Sequence, residues 1–211
     1  HGASGAEHVT TLTPVMAWPL AMGLVRDPAR ARAVCEEHLL DPREFFGDPA
    51  DPVQARYPVP SVAYCDPEYD FAQDGYYWRG QVWLIPVYFT LQALYRYGYE
   101  AEAETLRARV LDMIAAADPG GVHETYDAFT GEIGWGSGTG LGGFEEGSAF
   151  QLAFSCAMAL EILLDRHQRE RFLMPGERRI SGYVAEVAEL QGGTFYKVTA
   201  GGFEVPRSTL E

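Results

Sequence analysis

Apolar positions along the chain fall into helical stretches, two long loops and an alternating tail. Asp27-Pro28 offers an N-cap followed by proline at the first helical position. Ala31, Val34, Cys35, His38 and Leu39 then continue at helical spacing, which predicts a helix over 28–40 with one face inward. A second helix over 14–25 precedes it, interrupted by Pro19 and Gly23. From Asp41 to Gly75 the chain reads as a loop rich in proline, aspartate and aromatics. A loop of that length is uncommon unless it serves a function, and its aromatics argue against a floppy linker.

Residues 79–97 are apolar nearly all round, predicting a helix enclosed on most sides. Residues 100–117 instead line up Leu106, Val110, Met113, Ile114 and Ala117 on one stripe, with Glu102, Glu104, Arg107 and Arg109 elsewhere. That predicts an outer helix, and Gly98 between the two is a suitable stop. A glycine-rich loop over 118–147 leads to a second enclosed helix over 148–164. The stretch from Gly182 to Glu211 alternates and predicts two or three short strands. Enclosed helix, outer helix, loop, enclosed helix is the rhythm of an α/α toroid. The fold class is therefore mainly α, a partial toroid of inner and outer helices with a short β-rich C-terminal tail. Five helices cannot close such a ring.

Composition narrows the function. Apolar residues make up 47% and aromatics 13% of 211, enough for a sizeable core. Sixteen basic against thirty acidic residues give a net charge of −14. So negative a surface repels phosphate backbones and anionic lipid, so nucleic acid and membrane are excluded as expected partners. No apolar run reaches the roughly 18 residues of a membrane span. Cys35, Cys65 and Cys156 are widely spaced and odd in number, reading as reduced, buried thiols in a cytoplasmic protein. The start, His1-Gly-Ala-Ser-Gly-Ala, reads as an internal or processed beginning, so the chain is expected to be part of something larger.

Three stretches could carry chemistry. The first is Tyr76-Tyr77-Trp78-Arg79-Gly80-Gln81-Val82-Trp83, where flat aromatic faces suit stacking on sugar rings and Arg79 enters an apolar helix. Its plainer reading is core aromatics at a helix entry. The second is Gly121-Val-His123-Glu124-Thr-Tyr126-Asp127, in which Glu124 could serve as a general base. A solvated loop acid is the plainer alternative. The third, Gly134-Trp135 through Gly143, contains GxGxxG-like strings, but no βαβ unit surrounds it, so a dinucleotide is not expected. It reads as a tight or moving loop over a site, followed by Glu145 and Glu146 at the start of an apolar helix. His38 and His167 read as structural, Ser155-Cys156 lacks a nucleophile-elbow context, and no metal or other cofactor is implied.

In order, Pro60-Ser61-Val62-Ala63, Asp66-Pro67, Tyr77-Trp78-Arg79-Gly80-x-Val82-Trp83, Tyr97-Gly98-Tyr99, Glu124-x-Tyr126-x-x-x-Thr130-Gly131 and Phe154-Ser155 resemble glycoside hydrolases of the family 63 type. That group includes processing α-glucosidases and bacterial mannosylglycerate and glucosylglycerate hydrolases, and is similar to trehalases. The resemblance covers about residues 10–165. It implies an (α/α)₆ barrel and inverting hydrolysis of a small α-glycoside, a glucoside or mannoside. Glu124 matches the general base. Tyr77, Trp78, Arg79 and Trp83 match the sugar pocket, joined as substrate-binding candidates by Gln81 and Tyr126.

Two departures stand out. Position 81 is Gln where many members carry Pro, which leaves an amide for a sugar hydroxyl or a carboxylate aglycone. The upstream ESGxDxSxR-type segment bearing the general acid is missing, and Asp66, Asp70 and Asp74 stand in no such context. Residues 1–165 therefore read as the C-terminal half of the catalytic domain and 166–211 as a β-rich tail packed on it. The expected partners are a small carbohydrate and the N-terminal half of the same enzyme, or a partner chain supplying it. The alternative function is a non-catalytic carbohydrate-binding or scaffold half-barrel. A sugar epimerase would need paired histidines, and the enclosed helices have none.

Overall fold

The structure is a computed structural model. It describes residues 10–50, 57–70, 77–134 and 148–164, and the strand segments 177–180, 183–190, 193–200, 203–204 and 208–209. Tyr76, Asp74, the glycine-rich segment from Trp135 to Gly143, Glu145, Glu146 and His167 lie outside the described residues. The chain divides into two units, His1–Ala159 and Leu160–Glu211.

The first unit is helical. A 3₁₀ turn, Pro14–Met16, runs into α1 (Ala17–Ala21), and α1 ends before Gly23, whose φ is 69°. Pro19 fits because the third residue of a helix has no partner for an amide proton to lose. Next, α2 (Pro28–Val34) begins where the cap signal put it, with Asp27 accepting from Ala29 N at 3.0 Å. A single π turn over Cys35–Leu39 extends it to the expected end.

The central helix is α3 (Leu84–Arg96), with Leu84, Val87, Leu91 and Leu94 buried against neighbours that include α1 and α4. It starts five residues later than its hydrophobicity predicts. Val82–Trp83 is instead a two-residue strand, β1, paired antiparallel with β2 (Thr125–Tyr126) in the register Val82↔Tyr126 and Trp83↔Thr125. A β-branched and an aromatic residue suit that ladder as well as a helix turn, and the partner strand is invisible to local periodicity. Isolated bridges Pro60↔Val82 and Tyr126↔Ile133 widen the pair on both sides.

The outer helix α4 (Glu100–Ala117) has the predicted bounds and buries Ala103, Leu106, Val110 and Met113. Ile114 is only part-buried, and Arg107, expected on the outer face, is buried with its guanidinium 3.5 Å from Glu104. Arginine can do this because its stem packs as hydrocarbon while the head stays paired.

The loop from Asp41 is well packed. Val59 N donates to Phe45 O at 2.6 Å, Ser61 N to Gln81 O at 2.9 Å and Tyr57 N to Ala128 O at 2.8 Å. Tyr64, Tyr69 and Phe129 form a ring cluster with centroids 5.1 to 6.1 Å apart.

The last helix, α5 (Ala153–Leu164), begins after residues 148–150 run extended, with His123 bridged to Phe150. It was expected to be enclosed. Ser155 and Ile162 are buried, but Phe154 is 66% exposed and Leu160 and Leu163 are exposed too. No helix among the described residues is long and apolar enough to cross a membrane.

The second unit carries an antiparallel sheet of β3 (Glu177–Ile180), β4 (Tyr183–Leu190), β5 (Gly193–Ala200) and β6 (Phe203–Glu204), in that order, with β7 (Ser208–Thr209) paired to β5. Alternation predicted two or three of these strands. It missed β3, which begins before Gly182, and divided the segment beyond Ala200 too coarsely.

Candidate active site

The ladder β1–β2 sets the site. Pairing Trp83 with Thr125 lays the segment around Glu124 beside the segment that begins at Tyr77. The turn between Tyr77 and β1 needs unusual backbone, with Tyr77 at φ 46° and Gly80 at φ 146°. Gly80 takes that value at no steric cost, whereas a tyrosine there must be held. Ser61 helps on both sides, accepting from Gly80 N at 3.0 Å and donating to Tyr77 O at 3.3 Å.

Glu124 is 7% exposed. A carboxylate so placed must be hydrogen-bonded, and both oxygens are. Tyr77 Oη donates to Oε1 at 3.0 Å and Ala149 N to Oε2 at 3.3 Å. Its backbone is fixed as well, with Glu124 N donating to Ala149 O at 2.8 Å and Ser155 Oγ donating to Glu124 O at 3.2 Å. The solvated loop acid is thereby set aside.

The aromatic wall stands next to it. Trp83 is buried, and its Nε1 donates to Tyr77 O at 3.2 Å. Trp78 is half-exposed and stacks on Trp83, while Tyr77 meets Trp83 edge-on at 4.8 Å. Arg79 does not enter a helix. It lies in the extended stretch with its side chain half-exposed, Nε donating to Glu68 O at 3.1 Å and its terminal nitrogens 3.8 and 3.9 Å from Glu68 and Asp70. Ion pairs that long and wet are weak, so the guanidinium can exchange partners at little cost.

Gln81 and Tyr126 go inward. Gln81 is 1% exposed and closed in beneath Gly134. Tyr126 is fully buried, and its hydroxyl accepts from His123 N at 2.9 Å. Burial pushes the Tyr126 phenol above its ordinary range. Tyr126 thereby ties its strand to His123, and the Gln81 side chain is sealed in next to Gly134. His123, also buried, turns its Nε2 to Asp118 Oδ2 at 2.9 Å, and that bond holds the Asp118 carboxyl below its usual range.

Asp66 and Asp70 are already engaged. Asp66 is buried and caps Leu12 N and Glu68 N at 2.8 Å each, and Asp70 faces Arg79. Two surface hollows, of about 450 and 280 Å³, are lined by Ala116–Ala117 with Thr130–Ile133, and by Pro28, Arg32, Glu36, Tyr97 and Tyr99. Neither touches Glu124. Sequence reasoning gave no role to Ser61 or Ser155, although both stand in the family-like strings, and could not see the Ala149 amide, which has no side-chain signature.

A helical partial toroid with a braced glutamate beside stacked indoles is the build of a glycoside hydrolase domain. The profile described as the mannosylglycerate hydrolase MGH1-like glycoside hydrolase domain matches residues 3–151, and the chain belongs to that family. Over 85 residues it is 38% identical to a mannosylglycerate hydrolase of Thermus thermophilus, a match covering 40% of this chain and 19% of that enzyme. The crystal structure of a family 63 mannosylglycerate hydrolase from another strain of Thermus thermophilus, in complex with Tris, is 26% identical with a TM-score of 0.53, over 75% of this chain and 31% of that one. Its complex with Tris and D-glycerate gives 26% and 0.51, over 73% and 30%. The chain thus spans about a third or less of the relatives it matches.

Proposed function

We propose that this chain carries the water-activating side of an inverting glycosidase, with Glu124 as general base. The preferred substrate is a small α-glycoside of the mannosylglycerate kind, by likeness to enzymes of that name. Glu124 takes a proton from water as the water oxygen bonds to the anomeric carbon and the glycosidic C–O bond breaks on the opposite face. The leaving oxygen receives its proton from a carboxylic acid set about 6.5–9.5 Å from the base. That acid comes from the N-terminal part of the enzyme, outside this chain. Trp78, Trp83 and Tyr77 wall the sugar, and Arg79 is free to turn to an anionic aglycone. Gln81 and Tyr126 hold the ladder in place.

The observation that carries this reading is the Glu124 carboxylate, buried and hydrogen-bonded at both oxygens beside the indole pair. The test is Glu124→Gln in the intact enzyme, with α-mannosylglycerate as substrate. Turnover should fall about 10²- to 10⁴-fold while calorimetry still registers substrate binding. Near-normal turnover removes Glu124 from the base role. Asp66, committed to two backbone amides, supplies no general acid at that position, which leaves a second reading, a carbohydrate-binding half-barrel without catalysis. It predicts sugar binding and no turnover in the unaltered protein.

A further inference from the structure

We infer that Tyr77 is the positioning residue of the general base, which rests on the role proposed for Glu124 and goes beyond a sugar-wall contact. The phenol is the donor on Glu124 Oε1, at 3.0 Å. It reaches there from a backbone held at φ 46°, a region that bulky residues rarely occupy. Such strain persists only where surroundings over-determine it. Here one carbonyl, Tyr77 O, accepts from Trp83 Nε1 at 3.2 Å, Ser61 Oγ at 3.3 Å and Gln81 N at 3.3 Å. Trp83 also meets the ring edge-on.

The chemistry of the pair is directional. A carboxylate accepts and a phenol donates, so the bond fixes the plane of the carboxyl group. The Ala149 amide fixes the other oxygen. Two donors from two different segments leave one orientation for the remaining lone pairs, which is what a water-activating base requires. The neighbouring titratable side chain, His123, turns to Asp118 instead. A tyrosine serving only as sugar wall needs neither the hydroxyl bond nor the strained backbone.

The test compares the unaltered intact enzyme with Tyr77→Phe, Glu124→Gln and the double variant, on α-mannosylglycerate. Tyr77→Phe should lower kcat about 10- to 100-fold, the worth of one hydrogen bond to a charged group, with KM within about threefold. In the Glu124→Gln background the same change should cost almost nothing more, because coupled residues are not additive. A raised KM with unchanged kcat, or full additivity in the double variant, overturns the inference.

Should Tyr77→Phe fold poorly, 3-fluorotyrosine at position 77 keeps shape and hydroxyl while strengthening the donor. Its kcat should then change while KM stays within about threefold, and an unchanged kcat overturns the positioning role. Glu124→Gln with normal turnover removes the base reading and this inference together. An inactive Glu124→Gln with a normal Tyr77→Phe removes this inference alone. No turnover in the unaltered enzyme removes both.

Discussion

The indole of Trp78 lies flat on that of Trp83, with ring centroids 3.7 Å apart and planes 11° from parallel. The two differ in what surrounds them, because Trp83 is 5% exposed and Trp78 49%. Removing each therefore has a different cost. Trp78→Ala should lower unfolding free energy by about 0.5–1.5 kcal/mol, the worth of an aromatic pair beyond its buried area. Trp83→Ala should cost about 3–5 kcal/mol through the cavity left behind. Denaturant titration of the two variants checks the order. Equal losses would contradict the described burial.

Gly134 sits where no side chain fits. A Cβ there would stand 2.3 Å from Thr125 Oγ1 and 2.6 Å from Gln81 Oε1, both on buried side chains of the ladder. Gly134→Ala should destabilise by about 1–3 kcal/mol, the usual cost of overpacking. Gly98→Ala provides the contrast. There a Cβ meets nothing within 4 Å, and the cost comes from φ 86° alone. Thermal melts of the two variants separate crowding from backbone strain, since only Gly134→Ala should be relieved by adding Thr125→Ala or Gln81→Ala.

Asp118 makes stability depend on pH. Its carboxyl is held low, first by the bond to His123 and then by Gly120 N. A depressed carboxylate contributes stability that is present above its unfolded value, about 3.9, and lost as pH falls through the lower folded value. Asp118→Asn should therefore melt below the unaltered chain at pH 6–7, with the gap closing below about pH 3. Melting curves at pH 7, 5 and 3 test this. A gap constant across that range would show that the carboxylate charge contributes nothing.

Local signals settled much of the helical part. Asp27-Pro28 starts α2 because a short acceptor side chain and a fixed φ both act within one turn. The stripe Leu106–Val110–Met113 gives α4 because side chains three and four apart share one face. The site was legible as residue types: a glutamate in a polar loop and an aromatic run, made meaningful together by their resemblance to a known family.

What tertiary structure decided was everything joining distant segments. Residues 79–83 have the hydrophobicity of a helix entry, yet Val82 and Trp83 pair with Tyr126 and Thr125, so Arg79 stays outside and Gln81 is sealed in. Arg107 is buried against the stripe rather than left on the outer face, because Glu104 neutralises it locally. The bond from Tyr77 to Glu124 spans 47 positions. Chain periodicity reports only which face a residue shares with its neighbours. Which oxygen a phenol meets across the fold depends on a ladder register, and that register is fixed by contacts between segments that one-dimensional patterning does not relate.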